Sequence, residues 1–425
     1  MILSNQSFNW LDLIPNQWEI DKVKDHFYFS NIQTENFDNY PVLSLTMSGV
    51  KKRNMDTNEG QLPESYEKYN LVDPSCLVFN PMDLISGWVD VPKTEGLISP
   101  SYRTIKLRSD KTNLHFIKYY FQSLYKEKVL FYFGEGVHYD YRWGLGKETL
   151  KNFPIPIPPK EEQNKIVGFL DKKTNQIDKI IKKIEKKIEL LKEQRISLIN
   201  EVVTKGLNPN VEMKDSDFDW IGEIPSHWFC VGTNKIFNDL GSGTTPKSDN
   251  LEYYSDSGYH WITTTDLNEG IMYNTLSKIT DKSLEDNPNL RLYPSGSIYI
   301  SMYGGKIGKL GVSTFDSYCN QSVCVLPRNE KIVVKFYYYW FLGYQEFVKG
   351  MGRGGGQPNI NKEMIKSFPT VKIPVNEQQQ IVEYLDQQTK KIDKTILNEE
   401  KRMKLLKEYK QSLISEVVTG KKRVE

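Results

Sequence analysis

Apolar residues return at alternating intervals of three and four positions in two long stretches, residues 167–202 and 382–417. This spacing, sustained over about five heptads, predicts two long helices with a narrow apolar seam, as in a coiled coil. Arg195 interrupts the first seam, and Glu399 and Lys410 interrupt the second. The seam residues are Val167, Leu170, Thr174, Ile177, Ile181, Ile184, Ile188, Leu191, Leu198 and Val202, then Val382, Leu385, Thr389, Ile392, Ile396, Met403, Leu406, Leu413 and Val417.

The two stretches are copies of one segment. Residues 153–204 align without a gap with residues 368–419, and 27 of the 52 pairs are identical. The endings SLINEVVTKG and SLISEVVTG show the match most clearly. Identity at half of the positions over such a length indicates an internal duplication, which decides the organisation of the whole chain.

A shorter match opens each half, FNWLDLIPNQW at 8–18 and FDWIGEIPSHW at 218–228. The regions that follow diverge, although their aromatic runs FIKYYF and KFYYYWF are similar and are expected in the cores. We predict an α+β protein with a pseudo-two-fold internal repeat, in which two long helices separate two similar mixed α/β domains. The predicted boundaries are 1–152 and 208–367 for the domains, and 153–207 and 368–425 for the helices.

The second long helix is the simplest partner for the first, because both carry the same seam. If a two-fold axis across the helices relates the repeats, the pair is an antiparallel coiled coil. About 43 residues at ~1.5 Å each would span ~64 Å. The alternative is that each helix packs on its own domain, but so narrow a seam covers little of a globular core.

Composition limits the class of protein. The 425 residues, with 38% hydrophobic residues, suffice for two packed domains. The four cysteines form no C-x-x-C pair, and neither a secretory signal nor a transmembrane run is apparent, so we expect a cytoplasmic protein. The net charge is only +2, so any contact with nucleic acid must use a local cluster and not a general positive field.

Motifs for catalysis are incomplete. YFGEG (132–136) resembles a loop that binds S-adenosylmethionine, but the N/D-P-P-aromatic motif that should accompany it is missing, and we expect a turn. SMYGGKIG (301–308) lacks the upstream glycine and the Ser/Thr of a phosphate-binding loop. The five histidines show no metal-ligand spacing. We therefore predict no catalytic, cofactor-binding or metal-binding residue in this chain.

The order of these motifs resembles the specificity subunit of a type I restriction–modification system, over essentially the whole chain. The resemblance rests on the opening I-P-x-x-W, on F-P followed by E-Q, L-D and I-D, and on L-I-x-E-V-V-T-x-G. The stretch from Gly206-Leu207-Asn208-Pro209 to Trp228 and the run GGGQPNINK (354–362) are also similar to that family.

This resemblance implies two target-recognition domains that each read one half of an asymmetric, bipartite site in double-stranded DNA. It implies that the helices set the spacer between the half-sites and dock two methyltransferase (modification) subunits, which two restriction subunits join in some systems. S-adenosylmethionine is then expected in the methyltransferase subunits, with ATP and Mg in the nuclease subunits. The chain itself would be a non-catalytic subunit of an adenine DNA methyltransferase or type I restriction endonuclease complex.

Polar residues in loops are the candidate DNA contacts, because hydroxyl, amide and basic side chains bind base edges and phosphates. Ordinary solvated loop residues are the alternative for each of them. In the first domain the candidates are Lys51, Lys52, Arg53, Ser99, Tyr102, Arg103 and Arg142. In the second domain they are Thr244, Thr245, Lys247, Thr263, Thr264, Thr265, Lys306, Arg353, Gln357 and Asn359.

Two other functions remain open from the sequence. The chain could be a coiled-coil scaffold or adaptor with two similar modules and no DNA specificity, or an enzyme whose motif is unfamiliar. Duplicated frames with divergent middles favour a specificity subunit, because a scaffold has less reason to vary both surfaces. A gel-shift with the chain alone and with methyltransferase subunits distinguishes these functions.

Overall fold

The computed structural model describes residues 11, 14–54, 65–85, 87–136, 143–352 and 359–424. The chain forms two compact units, residues 1–185 with 400–425 and residues 186–399. The boundaries predicted at 152, 207 and 367 follow the repeat, whereas each compact unit takes part of both long helices. Among the predicted DNA contacts, Arg142, Arg353 and Gln357 lie outside the described residues.

The first unit contains short strands and helices followed by the start of a long helix. Its elements are β1 (Glu19–Lys22), α1 (Val23–His26), β2 (Phe27–Phe29), β3 (Leu43–Thr46), β4 (Gly49–Lys52), β5 (Asn70–Val72), β6 (Cys76–Phe79), β7 (Val89–Asp90), β8 (Gly96–Ile98), β9 (Arg103–Leu107), α2 (Leu114–Lys126), β10 (Glu135–Gly136), β11 (Trp143–Gly144), α3 (Lys147–Lys151), β12 (Pro154–Ile157) and α4 (Lys160–Lys205).

A four-stranded sheet in the order β2-β9-β6-β7 organises this unit, with all neighbouring strands antiparallel. Asn113 immediately precedes helix α2 and caps it, because its side chain accepts from the backbone N–H groups of His115 and Phe116. The aromatic side chains of α2 face the core. There the ring centroids of Phe121 and Phe79 lie 4.8 Å apart in an edge-to-face arrangement. The core position predicted for FIKYYF is confirmed.

The second unit repeats this plan with more strands. Its elements are β13 (Met213–Asp215), β14 (Glu223–Pro225), β15 (Phe229–Gly232), β16 (Gly241–Ser242), β17 (Tyr254–Ser255), β18 (Tyr259–Ile262), β19 (Gly270–Met272), β20 (Ser277–Ile279), α5 (Asp281–Asp286), β21 (Ile298–Ser301), β22 (Leu310–Ser313), β23 (Tyr318–Cys319), β24 (Val323–Leu326), α6 (Val334–Gly343), α7 (Gln345–Gly350), α8 (Lys362–Ser367), β25 (Pro369–Lys372) and α9 (Val375–Val418).

Two sheets organise the second unit, in the orders β16-β24-β21-β22-β19 and β17-β20-β18-β23. Strands β21 and β24 are buried along their whole length, and Ser301 is the only non-aromatic polar residue among their eight positions. Helix α6 packs against the larger sheet, and Tyr337 and Trp340 are fully buried in the same core. The core position predicted for KFYYYWF is confirmed as well.

The long helices α4 and α9 are 46 and 44 residues long. Prolines lead into both of them, and a glycine with φ of +73° follows each, Gly206 after α4 and Gly420 after α9. A Cβ on Gly206 would lie 3.3 Å from the ring of Trp228, and one on Gly420 would clash with Pro15 at 2.3 Å. The helix ends therefore pack against the repeated opening motif in both units.

The two long helices run antiparallel within each unit, as predicted. In the first unit Asp178 of α4 pairs with Lys410 of α9. In the second unit Arg195 pairs with Asp393, and Lys187 with Glu399. All three residues that interrupt the apolar seams therefore take part in ion pairs between the helices.

The apolar seam contributes both to contacts between the long helices and to packing on the domains. Leu170, Val417 and Leu385 are completely buried and belong to the domain cores. In the middle of the seam Ile181 and Ile188 are also buried but belong to neither domain core, and Leu191 is half-buried. The alternative of packing on the domains is thus correct for the helix ends, and the coiled coil for their middle.

Candidate nucleic-acid interface

Residues that are identical in the two repeats attach each domain to a long helix. Trp18 Nε1 donates to Glu162 Oε2 at 3.1 Å, and Trp228 Nε1 donates to Glu377 Oε2 at 2.9 Å. The opening motif and the E-Q pair recur in the sequence because they form this one contact twice.

The glutamine after each of these glutamates makes a second attachment. Gln163 accepts a hydrogen bond from the backbone of Asn113 at 2.6 Å, and Gln378 accepts one from Val333 at 2.8 Å. Each amide also donates to a backbone carbonyl, at 2.8 Å for Gln163 and 2.9 Å for Gln378. Both side chains are buried with their polar groups satisfied, as a rigid frame requires.

A tyrosine of each domain completes the frame. The Tyr119 hydroxyl donates to Asp171 at 2.6 Å, and the Tyr339 hydroxyl donates to Asp386 at the same distance. Burial raises the pKa of both tyrosines, and their carboxylate partners raise it further because they disfavour a second negative charge. These residues hold the architecture in the same way in both units, so any difference in what the units bind must arise on surfaces that differ between the repeats.

One such surface lies at an edge of the larger sheet in the second unit. Strand β24 runs antiparallel to β21, with Ser301 opposite Val323, and antiparallel to β16, with Ser242 opposite Cys324. The ends of β16 and β21 therefore meet the start of β24 at one edge.

Loops of the smaller sheet, β17-β20-β18-β23, lie at the same edge. Strand β23 runs parallel to β18, with Ile262 beside Cys319, and residues 320–322 join β23 to β24. The backbone N–H of Asn320 donates to the carbonyl of Ile262 at 3.0 Å. The turn 320–322 consequently lies beside the Thr263–Thr265 run that follows β18.

Several predicted contacts surround this turn. The Thr244 N–H donates to the Cys319 carbonyl at 3.0 Å, and the Thr245 hydroxyl donates to Oε1 of Gln321. Met302 donates to the carbonyl of Ser322 at 2.9 Å, and an isolated bridge connects Tyr303 with Asn359. We call the turn 320–322 and the loops that contact it the second-unit loop cluster.

The other predicted contacts of this unit that the structure describes lie next to the loop cluster. Lys247 is exposed two residues beyond Thr245, and Lys306 ends the 3-10 turn Gly304–Lys306 that follows β21. The Thr263 hydroxyl is engaged within its own turn, where it donates to Asp266 at 2.8 Å. On the same turn Thr264 is half-buried and Thr265 is exposed.

Sequence reasoning missed the centre of this cluster. The run CNQSVCV places three polar residues between buried strands, and those residues, Asn320, Gln321 and Ser322, form the turn. The signal was present, because a short polar run between two apolar runs indicates a loop at a sheet edge. Nothing in the sequence showed that the other candidate loops converge on it.

The first unit has an equivalent turn. Strand β9 pairs with β6 so that Arg103 lies opposite Phe79, as β24 pairs with β21 in the second unit. The run from Ser99 to Arg103 joins β8 to β9 and thus corresponds to residues 319–323. Lys51 and Lys52 are exposed on the neighbouring hairpin of β3 and β4.

Three predicted residues of the first unit meet around Tyr69. Burial raises the pKa of Tyr69, and the nearby Arg53 guanidinium and Ser99 hydroxyl oppose that rise. Burial likewise raises the pKa of Tyr102, where Arg53 again acts in the opposite direction. Arg53 also donates its backbone N–H to Val42, whose neighbour across a parallel bridge is Leu97. Tyr69 itself was not predicted.

The chemistry of both surfaces is that of binding. Hydroxyl, amide, guanidinium and ammonium groups dominate them, which suits contacts with phosphates and base edges. Within the described ranges, no group of three or more His, Cys, Asp or Glu side chains could hold a metal ion. The same part of the chain contains no helix that is long and apolar enough to cross a membrane.

Comparison with known proteins gives the family. The model of the type I restriction modification DNA specificity domain matches residues 92–190 and 229–402. The MjaVIII specificity subunit of Methanocaldococcus jannaschii is 29% identical over 296 residues, 66% of this chain and 65% of that subunit. The EcoR124I/EcoR124II specificity subunit of Escherichia coli is 24% identical over 342 residues, 77% of this chain and 76% of that subunit.

The match spans less than two thirds of the length of the first relatives, 62% and 65% for two subunits of M. jannaschii. Solved structures share the fold over nearly the whole chain. A chain of a type I R-M system superposes with a TM-score of 0.70 at 13% identity, covering 95% of this chain and 98% of that one. The HsdS subunit from Thermoanaerobacter tengcongensis superposes at 0.51 with 14% identity, covering 96% and 98%. This chain belongs to the family of type I restriction modification DNA specificity domains.

Proposed function

We propose that this chain is the DNA-specificity subunit of a type I restriction–modification complex and has no catalytic site of its own. Each unit reads one half of an asymmetric, bipartite site in double-stranded DNA. One observation supports this most strongly: both units keep the same buried frame, yet carry different polar side chains on the equivalent turn at the sheet edge.

The contrast between frame and turn separates two tasks. The frame contacts of Gln163 and Gln378 are buried and alike, so they cannot encode different sequences. The turns carry different polar groups, with half-buried Tyr102 and Arg103 in one unit, and exposed Gln321 and half-buried Ser322 in the other. Two different turns imply two different half-sequences and hence an asymmetric target.

Charged residues beside the turns would add affinity without sequence preference. Three lysines are exposed, Lys51 and Lys52 in the first unit and Lys247 in the second. None of them takes part in an ion pair within the described residues. Lysine on phosphate contributes through the release of counterions, so binding should weaken as salt rises. These local clusters compensate for a net charge of only +2.

The long helices would set the distance between the half-sites and dock two methyltransferase subunits in the cytoplasm. Those subunits would supply S-adenosylmethionine and the methyl transfer to adenine. Restriction subunits, where the system has them, would supply the nuclease with ATP and Mg. The continuous exposed faces of α4 and α9 support this role, because they leave long surfaces for partners.

Titration of the chain into labelled DNA tests the proposal, with the chain alone and with the modification subunits of its complex. Sequencing of methylated adenines in a host that expresses all subunits then identifies the target. One bipartite, asymmetric motif is expected. Assembly with the partners but methylation without sequence preference would favour the scaffold function.

A further inference from the structure

We propose that Gln321 reads an adenine in the half-site of the second unit and that Thr245 positions its side chain. This inference rests on the proposed function and specifies the group that would carry it. Gln321 lies at the middle of the turn 320–322, which is the centre of the second-unit loop cluster.

The backbone of this turn is held from two sides. On one side Asn320 donates to the Ile262 carbonyl of β18, and on the other Met302 donates to the Ser322 carbonyl. The Asn320 side chain accepts from the N–H of Ser322 at 3.2 Å, which closes the turn internally. A base-reading group gains specificity from such support, because a fixed backbone lets geometry select the base.

Gln321 is the member of the turn whose side chain points outward. Asn320 uses its amide oxygen to close the turn, Ser322 is half-buried, and Gln321 is exposed. The Thr245 hydroxyl donates to its Oε1. Thr245 is itself fixed, because the neighbouring Thr244 donates its N–H to Cys319 and its carbonyl accepts from Trp261 Nε1 at 3.3 Å.

The remaining hydrogen-bonding capacity of the amide defines what it can read. A glutamine amide has two acceptor lone pairs and two N–H donors. With one lone pair on the Thr245 hydroxyl, one acceptor lone pair and the two N–H donors remain available on this exposed side chain. In the major groove this combination of acceptor and donors matches adenine, which presents an N6 amino donor beside the N7 acceptor.

Sequencing of methylated sites in a host that expresses the full chain with its modification subunits tests this inference. Gln321→Ala should relax one position of one half-site, with discrimination there falling roughly tenfold to hundredfold. All other positions of both half-sites should stay unchanged. Gln321→Glu should move the preference at that position toward cytosine, because a carboxylate accepts from the cytosine N4 amino group.

Thr245 separates positioning from contact. Thr245→Val removes the hydroxyl at similar volume and should weaken discrimination at the same base pair, and Thr245→Ser should restore it. Gln17→Ala is the matched control, because Gln17 is an exposed glutamine that lies outside the second unit and outside both long helices. It should leave the target motif unchanged.

The outcomes distinguish this inference from the proposed function. Unchanged discrimination at every position in both Gln321 variants overturns the inference while the proposed function stands. Failure of Gln321→Ala to fold or assemble also overturns it, since an exposed reading residue has no structural role. A wild-type complex that methylates without sequence preference contradicts the proposed function itself.

Discussion

Lys410 donates to both carboxylate oxygens of Asp178, with Nζ–O distances of 2.8 and 2.7 Å. In the internal repeat Asp178 is equivalent to Asp393, and Lys410 is equivalent to Arg195. These two equivalents also form an ion pair, with 3.0 Å between Arg195 Nε and Asp393 Oδ1. Each pair is the image of the other in the internal repeat, and each joins two helices that run antiparallel within their unit. Charges that interrupt an apolar seam commonly select register and direction at a cost in stability.

Reversal of one charge of the Asp178–Lys410 pair should destabilise the first unit by a modest amount. Asp178→Lys places two positive charges together, and we expect a loss of about 1 kcal/mol in the free energy of unfolding, because the pair is partly exposed. Adding Lys410→Asp should recover most of that loss. Urea unfolding measures both, with Lys183→Asp on the exposed face of α4 as the control. No recovery in the double variant would speak against a direct pair.

The buried frame should govern stability and not sequence preference. Gln378→Ala leaves the backbone groups of Val333 and Ile373 without their partner, and we expect a loss of roughly 2–4 kcal/mol. Gln379→Ala next to it removes only an exposed contact and should stay within about 0.5 kcal/mol of the wild type. Thermal unfolding gives the stabilities, and methylated-site sequencing should show the parental motif for both variants.

Lys51 should contribute to affinity for any DNA sequence. Lys51→Ala removes one exposed charge of β4, and we expect weaker binding to specific and unrelated duplexes alike. The slope of log K against log salt should fall by about one unit if this lysine neutralises one phosphate. Fluorescence anisotropy over a salt series measures the slope, with Lys182→Ala of α4 as the control. A loss confined to the specific sequence would instead make Lys51 a base contact.

The long helices should set the gap between the half-sites. Four residues inserted after Lys186 and four after Lys401 lengthen both helices at equivalent points of the repeat by ~6 Å. That length is close to two base-pair steps of ~3.4 Å. We expect the same two half-sequences with a gap wider by one or two base pairs. Altered half-sequences across the parental gap would refute a spacer role for the helices.

The sequence predicted the helices well because their signal is periodic and was present twice. The seam residues, the antiparallel direction and the aromatic cores follow from repetition and 3.5-residue spacing. The partners of Arg195, Glu399 and Lys410 could not be predicted, because each lies about two hundred residues away along the chain. The boundaries between the compact units also fall inside the two long helices. Boundaries drawn from the sequence repeat do not predict this.

The candidate site was predicted in part. Thr244, Thr245 and Asn359 were chosen one by one as polar loop residues, and the structure brings them to one edge. Tyr69 and Gln321, around which the candidates gather, were missed because exposed polar loops look alike in sequence. Strand pairing decides which loops meet, and a single sequence does not contain that information.

Exchange of one recognition surface tests the central claim most directly. Residues 29–144 of the first unit are replaced by the corresponding region of another family member, and methylated adenines are sequenced in a host with all subunits. The account predicts that one half-sequence changes while the other half-sequence and the gap remain as in the parent. A change in both half-sequences, or in neither with methylation intact, would contradict the claim that each unit reads its own half of the site.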